Sequence, residues 1–384
     1  MNRMKAFVLY LDHDHYRISL FSLGLQKDAA IEEASWGMIY RVKNTALLPS
    51  FPTVAGEPHL MHYIKVLWNK GVQTLQPFEL KDWSNKVGSL ISRVHESDPI
   101  DIVISSYAPL EAHMAALGFL GNYKNVPWIT DMRDEMSLNP HVNHTMRSTL
   151  RKMESKINER ACAVTTVSEP ILNDFKKLLP KVKRQIEIRN GFDHDLKRET
   201  NFNEVFTIVY AGTFYGQRKP DTFFEGLKSI VSTDKIEVII KFIGTHRNFV
   251  IPPELEESCV FFPKMPIWEA LQHMALADAN LLVLPPVSGK GVYSGKIFDY
   301  LSVQKPIIAI VDLNDVAAHL INELKAGFCA DFSDITQIKS AITAAYNMWK
   351  ERKLLMMEPE KIASLHRRVQ VQKLQSLIQQ ILVR

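Results

Sequence analysis

The chain has 384 residues, 46% of them hydrophobic and 23% charged, an ordinary balance for a globular protein and enough chain for two domains of about 100–200 residues each. Its 46 basic and 42 acidic side chains leave a net charge of only +4, too mild a field to point to nucleic acid. No run of about 18 apolar residues is present to span a membrane, and Cys162, Cys259 and Cys329 are too scattered for a disulfide framework or a CxxC metal pair.

In chain order, the N-terminal apolar run is soon broken by charge and does not make a signal peptide, so a cytoplasmic protein is expected. Ala6–Leu11 is expected as a strand and Ile18–Leu25 as a helix. Ile100–Ser105 follows as a strand, Leu110–Leu120 as a helix, Val126–Thr130 as a strand and Thr145–Ala161 as a long charged helix. Ala163–Val167, Pro170–Leu179 and Ile186–Arg189 continue as strand, helix and strand. The polar stretch Asp193–Asn203 interrupts this rhythm and is the linker candidate. Beyond it the pattern restarts, with strands at Phe206–Ala211, Val238–Ile243, Cys259–Phe262, Asn280–Leu284 and Pro306–Ile310. Helices are expected at Pro220–Val231, Ile267–Leu276, Gly295–Ser302, from about Asp315 to Leu324, from about Ile335 to Trp349, and at Ser364–Leu382. Alternating strand and helix implies βαβ units on parallel sheets, and strands apolar throughout imply sheets covered on both faces. The expectation is an α/β protein of two similar domains with a cleft between them, whose ligands bind at helix N-termini beyond the carboxyl ends of the strands.

Three strand-to-helix loops carry the chemistry. In Ala211–Pro220, Gly212 lets backbone approach a ligand, Thr213 follows it, and Arg218 and Lys219 place positive charge beyond the sheet, where a diphosphate is the natural partner. The alternative is a tight turn with two solvated cations. In Pro285–Lys296, the amides of Ser294, Gly295 and Lys296 open a helix and aim at an anion, Lys296 adds a formal charge, and Asp299 lies about one turn further on, where it can accept from ribose hydroxyls or merely complement the helix dipole. The loop lacks the P-loop spacing. In Trp128–Glu135, Asp131, Arg133 and Asp134 follow a buried strand and are the candidate catalytic group, against the alternative of a structural ion pair.

These loops, taken in order, resemble the GT-B glycosyltransferases of the large retaining family 4. The likeness rests on VPWITDMRDEMSLNP (126–140), AVTTVSEPILNDF (163–175), IRNGFD (188–193), FTIVYAGTF (206–214), IKFIGT (240–245) and SGKIFDYLSVQKPIIAI (294–310). It implies two Rossmann-like domains facing a central cleft: an acceptor-binding domain over 1–193, a nucleotide-sugar-binding domain over 194–355, and a C-terminal helix over 356–384 that crosses back to the first. It also implies a nucleotide diphosphate sugar as co-substrate, a carbohydrate or lipid-linked acceptor, retention at the anomeric carbon, and protein cations in place of a metal. Gly212, Thr213, Arg218, Lys219, Ser294, Gly295, Lys296 and Asp299 are the implied donor-binding residues, with base recognition by backbone around Phe262–Pro266.

The chain departs from that pattern in three places. Gly291 stands where the family often has an acidic residue, Thr213 where it often has arginine, and Asp12–Arg17 replaces the usual glycine-rich N-terminal loop. The alternatives these departures motivate are a sugar-nucleotide epimerase or hydrolase of the same fold and an inactive nucleotide-binding scaffold. His13, His15 and Arg17 are placed on the acceptor side, because the HxH pair has no distant partner for a metal. His113, on the helix after IDIVISS, joins them, against the alternative of a satisfied surface histidine. The basic segment Met146–Arg160 weighs toward a solvated face, with peripheral contact with anionic lipid on the inner face of a membrane as the alternative.

Overall fold

The computed structural model describes residues 3–25, 29–45, 58–75, 79–195, 198–214, 219–285 and 291–383. The chain forms two compact units. One comprises Met1–Thr166, Leu172–Glu187 and Val371–Arg384, the other Val167–Ile171 and Ile188–Gln370.

The first unit opens with helix α1 (Arg3–Tyr10), where a strand is expected from sequence, and strand β1 (Ile18–Leu23), where a helix is expected. The burial explains the first exchange. Arg3, Ala6, Phe7 and Leu11 are covered, at three- and four-residue spacing, whereas a strand would cover alternate positions. Arg3 also lies over the Phe7 ring one turn on, 5.0 Å from its centre. β1 is a half-buried strand that finds its partner in β3. With β2 (Ile31–Ala34) and β3 (Gly37–Val42) it makes a small sheet of order β1-β3-β2, parallel between β1 and β3 and antiparallel between β2 and β3. Phe21 stacks on Tyr40 across that pair at 4.9 Å.

Next come α2 (His59–Leu75), α3 (Lys81–Ser97), β4 (Val103–Tyr107), α4 (Glu111–Leu120), β5 (Trp128–Met132), α5 (His144–Arg160), β6 (Ala163–Thr166), α6 (Glu169–Leu178) and β7 (Arg184–Glu187). The four strands form a parallel sheet in sequence order. β5 and β6 are buried at every position, as strands covered on both faces must be.

The second unit runs β8 (Phe206–Ala211), α7 (Asp221–Asp234), β9 (Val238–Ile243), β10 (Cys259–Phe262), α8 (Ile267–Ala275), β11 (Ala279–Leu284), α9 (Gly295–Val303), β12 (Ile307–Val311), α10 (Val316–Glu323), β13 (Gly327–Asp331), α11 (Ile335–Lys350) and α12 (Pro359–Ser364); the last helix, α13 (Arg367–Leu382), starts in this unit and belongs to the first from Val371 onward. Its six strands are all parallel, in the order β10-β9-β8-β11-β12-β13. Renumbered within the unit this is 3-2-1-4-5-6, the doubly wound Rossmann order. Alternate side chains feed two cores. Val209, Ala211, Ile307, Ala309 and Val311 pack with α8, α9 and α10, while Phe206, Ile208, Tyr210, Ile308 and Ile310 pack with α7 and α11. The segment from Ile188 belongs with this unit because Phe192 enters the first of those cores and Arg189 N donates to Gln370 Oε1 at 2.9 Å.

Among the described residues, no helix is long and apolar enough to cross a membrane.

Candidate functional site

The strand order of the second unit reverses between β8 and β11, and open α/β sheets take their ligands at such a reversal, beyond the carboxyl ends of the strands. These two strands pair only through Ile208–Ala279 and Val209–Asn280. Past that point they diverge. The Ala211 N–H left over from the ladder donates instead to the Tyr300 hydroxyl of α9, at 3.2 Å. The loops after β8 and β11, both singled out from sequence, open at this divergence.

Gly212 ends β8 with φ +119°, a conformation side chains disfavour, and Lys296 of α9 lies directly over it. A Cβ added at Gly212 would sit 2.5 Å from Lys296 Cε. The positive φ is what requires glycine there, since the lysine tip could shift. Lys296 Nζ donates to the Tyr210 hydroxyl at 2.7 Å and lies 4.4 Å from the Tyr210 ring centre. Tyr210 in turn stacks on Phe214 at 4.0 Å and donates to Thr213 O at 3.3 Å. Thr245 Oγ1 donates to Gly212 O at 2.5 Å, tying the loop to the end of β9. None of these aromatic and hydroxyl supports is signalled by a local motif, except that Tyr210 and Tyr300 are polar-tipped residues in otherwise apolar segments.

Ser294 is the extended N-cap of α9, and its side chain makes no capping hydrogen bond. Gly295, the first helical residue, has nothing within 4 Å of where a Cβ would stand. The first turn of α9 thus starts without a side-chain cap and next to the Lys296 position, a positive helix end suited to an anion.

Asp299 lies one turn along α9 with its side chain 27% exposed. Burial pushes its carboxyl up to about 6; Arg367 opposes that shift and Asp193 adds to it. His194 Nε2 is 3.9 Å from Asp299 Oδ1, and Arg367 forms an ion pair with Asp193. Burial lowers the His194 pKa. Sequence reasoning treats Asp193 and His194 as linker and does not single out Arg367, because the three meet only through the fold. The folded Asp299 carboxyl binds its proton more tightly than an unfolded one, whose pKa is near 3.8. Its contribution to stability is thus full below about 4 and is lost as pH rises through about 6. Wild-type stability is expected to fall across that window relative to Asp299→Asn, read from urea midpoints at pH 4, 5, 6 and 7.

Position 291 has a structural reason for lacking a carboxylate. Gly291 has φ +93°, and its N–H donates to Asp315 Oδ1 at 2.7 Å, the oxygen that also caps α10 through Val316 N. A Cβ there would come within 3.0 Å of Ser168 Oγ and 3.1 Å of Pro170 Cβ. Of the remaining donor-side candidates, Thr213 and Lys219 are exposed, Lys219 just ahead of the Pro220 N-cap of α7. Arg218 lies outside the described residues, as does the stretch 286–290 of the second loop.

In the first unit the structure separates residues that adjoin in sequence. Asp131, expected among the catalytic residues, is fully buried in the middle of its sheet. Arg3, itself only 6% exposed, holds it through Nη2 at 2.8 Å and Nε at 2.9 and 3.0 Å. Its cross-strand neighbours complete the cage: Ser106 Oγ donates to Oδ2 at 2.8 Å and Thr165 Oγ1 to Oδ1 at 2.6 Å. A carboxylate so enclosed touches no substrate, so its role is corrected to a structural one, with Arg3 rather than Arg133 as its partner. Arg133 and Asp134 lie beyond the end of β5 and are partly exposed; burial raises the Asp134 pKa and Arg133 opposes this.

His113 is likewise corrected, from acceptor side to core. It is fully buried, its Nδ1 lies 2.7 Å from Ser105 Oγ, and Trp128 Nε1 donates to the same hydroxyl at 2.8 Å. Burial lowers its pKa to about 4, so the ring is neutral at pH 7. His13 Nε2 contacts Val8 O at 2.7 Å, exposed His15 bonds Asp12 Oδ2 at 2.8 Å, and Arg17 pairs with Asp98 at 3.2 Å. Among the described residues, no group of three or more His, Cys, Asp or Glu is placed to hold a metal ion.

No protein-family model matches the chain, and no curated protein sequence matches it. Solved structures do. The lipopolysaccharide outer core galactosyltransferase WaaB, in its apo form, is similar with a TM-score of 0.55 and 14% identity, over 77% of this chain and 79% of that one. "Trehalose-6-phosphate from E. coli bound with UDP-2-fluoro glucose" is similar with a TM-score of 0.59 and 11% identity, over 99% and 94%. Anabaena Alr3699/HepE in complex with UDP gives 0.53 and 14%, over 77% and 81%. The chain has the fold of the two-domain GT-B glycosyltransferases, with parallel α/β sheets in both units.

Proposed function

We propose that the chain is a glycosyltransferase that moves a sugar from a nucleotide diphosphate donor to a hydroxyl acceptor. The observation that carries this reading is the Lys296 ammonium lying over Gly212 beside the uncapped first turn of α9, at the reversal of a Rossmann sheet. Breaking the bond between the sugar and the diphosphate builds negative charge on the leaving group. A fixed cation and helix amides aimed there stabilise the transition state more than the ground state. This arrangement supplies positive charge without a metal, so a metal-independent transfer is proposed.

Asp299 is assigned to the ribose hydroxyls, with Gly212, Thr213, Lys219, Ser294 and Gly295 around the phosphates. Arg133 and Asp134 are assigned to the acceptor or the reacting sugar, and His13, His15 and Arg17 to the acceptor side. Retention, a hexosyl donor and a place in bacterial cell-surface polysaccharide or glycolipid synthesis are part of the proposal. UDP is the first base to test, since HepE is solved with it.

In a thermal-shift panel of UDP, GDP and ADP, one diphosphate is expected to stabilise the protein by about 2.7 kcal/mol at a hundredfold excess over Kd, a rise of several degrees, with UDP the largest. A flat panel would remove the donor-binding reading. Binding without sugar transfer to any acceptor would leave the fold as a scaffold.

A further inference from the structure

Helix α2 is built unlike any other described helix. Every large hydrophobic residue from Leu60 to Trp68 is exposed, Leu60 to 72% and Leu67 to 52%. No other described helix exposes more than two. At about 100° per residue, Leu60, Met61, Tyr63, Ile64, Leu67 and Trp68 fall on one arc of roughly 160°. The same spacing puts positions 65 and 70, both lysine, at the two edges of that arc, and 62, 66 and 69, histidine, valine and asparagine, on the far side. The helix sequence contains no Asp or Glu.

We infer that α2 lies flat on an anionic lipid bilayer, its apolar arc among the upper acyl chains and its lysines at the headgroups. Its 17 residues are too few to span a hydrocarbon core but long enough to lie along an interface. The tryptophan and tyrosine at the rim suit the headgroup level, and lysine stems bury along apolar surface while their charges reach anionic phosphates.

A second copy of the chain is the competing occupant, and charge and area disfavour it. Two-fold pairing through this arc would bring the lysine positions of two such helices together, and neither helix sequence supplies an Asp or Glu. A helix about 26 Å long and 10 Å wide offers a footprint of roughly 260 Å², against about 800 Å² per partner in a stable interface. Helix α5, the basic segment noted from sequence, is the weaker candidate. Its apolar residues Leu150, Met153 and Ile157 face the core, and its Arg147 and Arg160 are spent on backbone carbonyls of 139, 142, 124 and 126.

The inference does not depend on the donor site. It is tested by vesicle sedimentation of the full chain with phosphatidylcholine vesicles, with and without phosphatidylglycerol. Binding is expected to be at least tenfold stronger with the anionic lipid and to weaken in high salt. Ile64→Asp with Leu67→Asp should lose at least tenfold in binding, with unchanged far-UV circular dichroism, Tm and UDP response, because both side chains are already exposed. Lys65→Glu should lose about fivefold. Trp68→Phe should remove the blue shift of tryptophan emission on binding. Indifference of the parent to vesicles overturns the inference. So does a double variant that binds as the parent does, or one that instead dissociates a dimer detected by light scattering.

Discussion

Replacing Asp131 with alanine is expected to cost about 3–5 kcal/mol of stability, because it leaves the Arg3 guanidinium buried without its counter-charge. The size follows from enclosure. Arg3 and Asp131 are 6% and 0% exposed, and Arg3 approaches both carboxylate oxygens. Removing the carboxylate also strands Ser106 and Thr165, whose hydroxyls donate to it from the two flanking strands. Urea unfolding monitored by circular dichroism measures the loss. The double variant Arg3→Met, Asp131→Leu should recover much of it, since an apolar pair of similar volume can replace a buried ion pair at little cost. An Asp131→Ala protein with wild-type stability but no transfer activity would restore the catalytic role expected from sequence.

Lys296→Ala is expected to act in the opposite way, sparing the fold and removing the chemistry. Its ammonium contacts the rim of β8 through the Tyr210 hydroxyl and the adjacent ring face, while its neighbour Gly295 opens onto free space. The nucleotide-dependent Tm rise should vanish. The transfer rate should fall about 100–1,000-fold, the usual consequence of deleting one positioned donor to developing negative charge. Steady-state rates with the diphosphate sugar identified by the thermal panel provide the check. A variant that retains both the Tm response and the rate would move the phosphate site away from α9.

The second unit is nearly transparent to sequence reasoning. Phe206–Ala211, Val238–Ile243 and Cys259–Phe262 fall on β8, β9 and β10 residue for residue. Each is a short, mostly apolar run, interrupted only by Thr207 and Lys241, long enough for one strand and too short for a helix. β13 escapes because Gly327–Asp331 is short and ends on a carboxylate. The N-terminal exchange of helix and strand has another cause: a run of six apolar residues fits either element, and what decides α1 is Arg3 meeting Asp131, a pair far apart in the chain. The same limit governs the site. Gly212, Ser294, Gly295 and Lys296 are legible as loop-then-helix chemistry. The surroundings of Asp299 are not, since His194 and Arg367 arrive from segments with no motif of their own. Asp131 misleads because a carboxylate after an apolar strand looks alike whether it faces a substrate or a buried arginine.

One rod carries three of the groups discussed: Lys296, Asp299 and Tyr300 all project from α9. Their mutual spacing is therefore a property of the helix repeat, set like marks on a ruler, and Tyr300 pins that ruler to the strand end at Ala211. A molecule that fits both the ammonium and the carboxylate has to match this interval. Adaptation to a different one would have to come from reshaping the loops around α9, because sliding the helix shifts every mark at once.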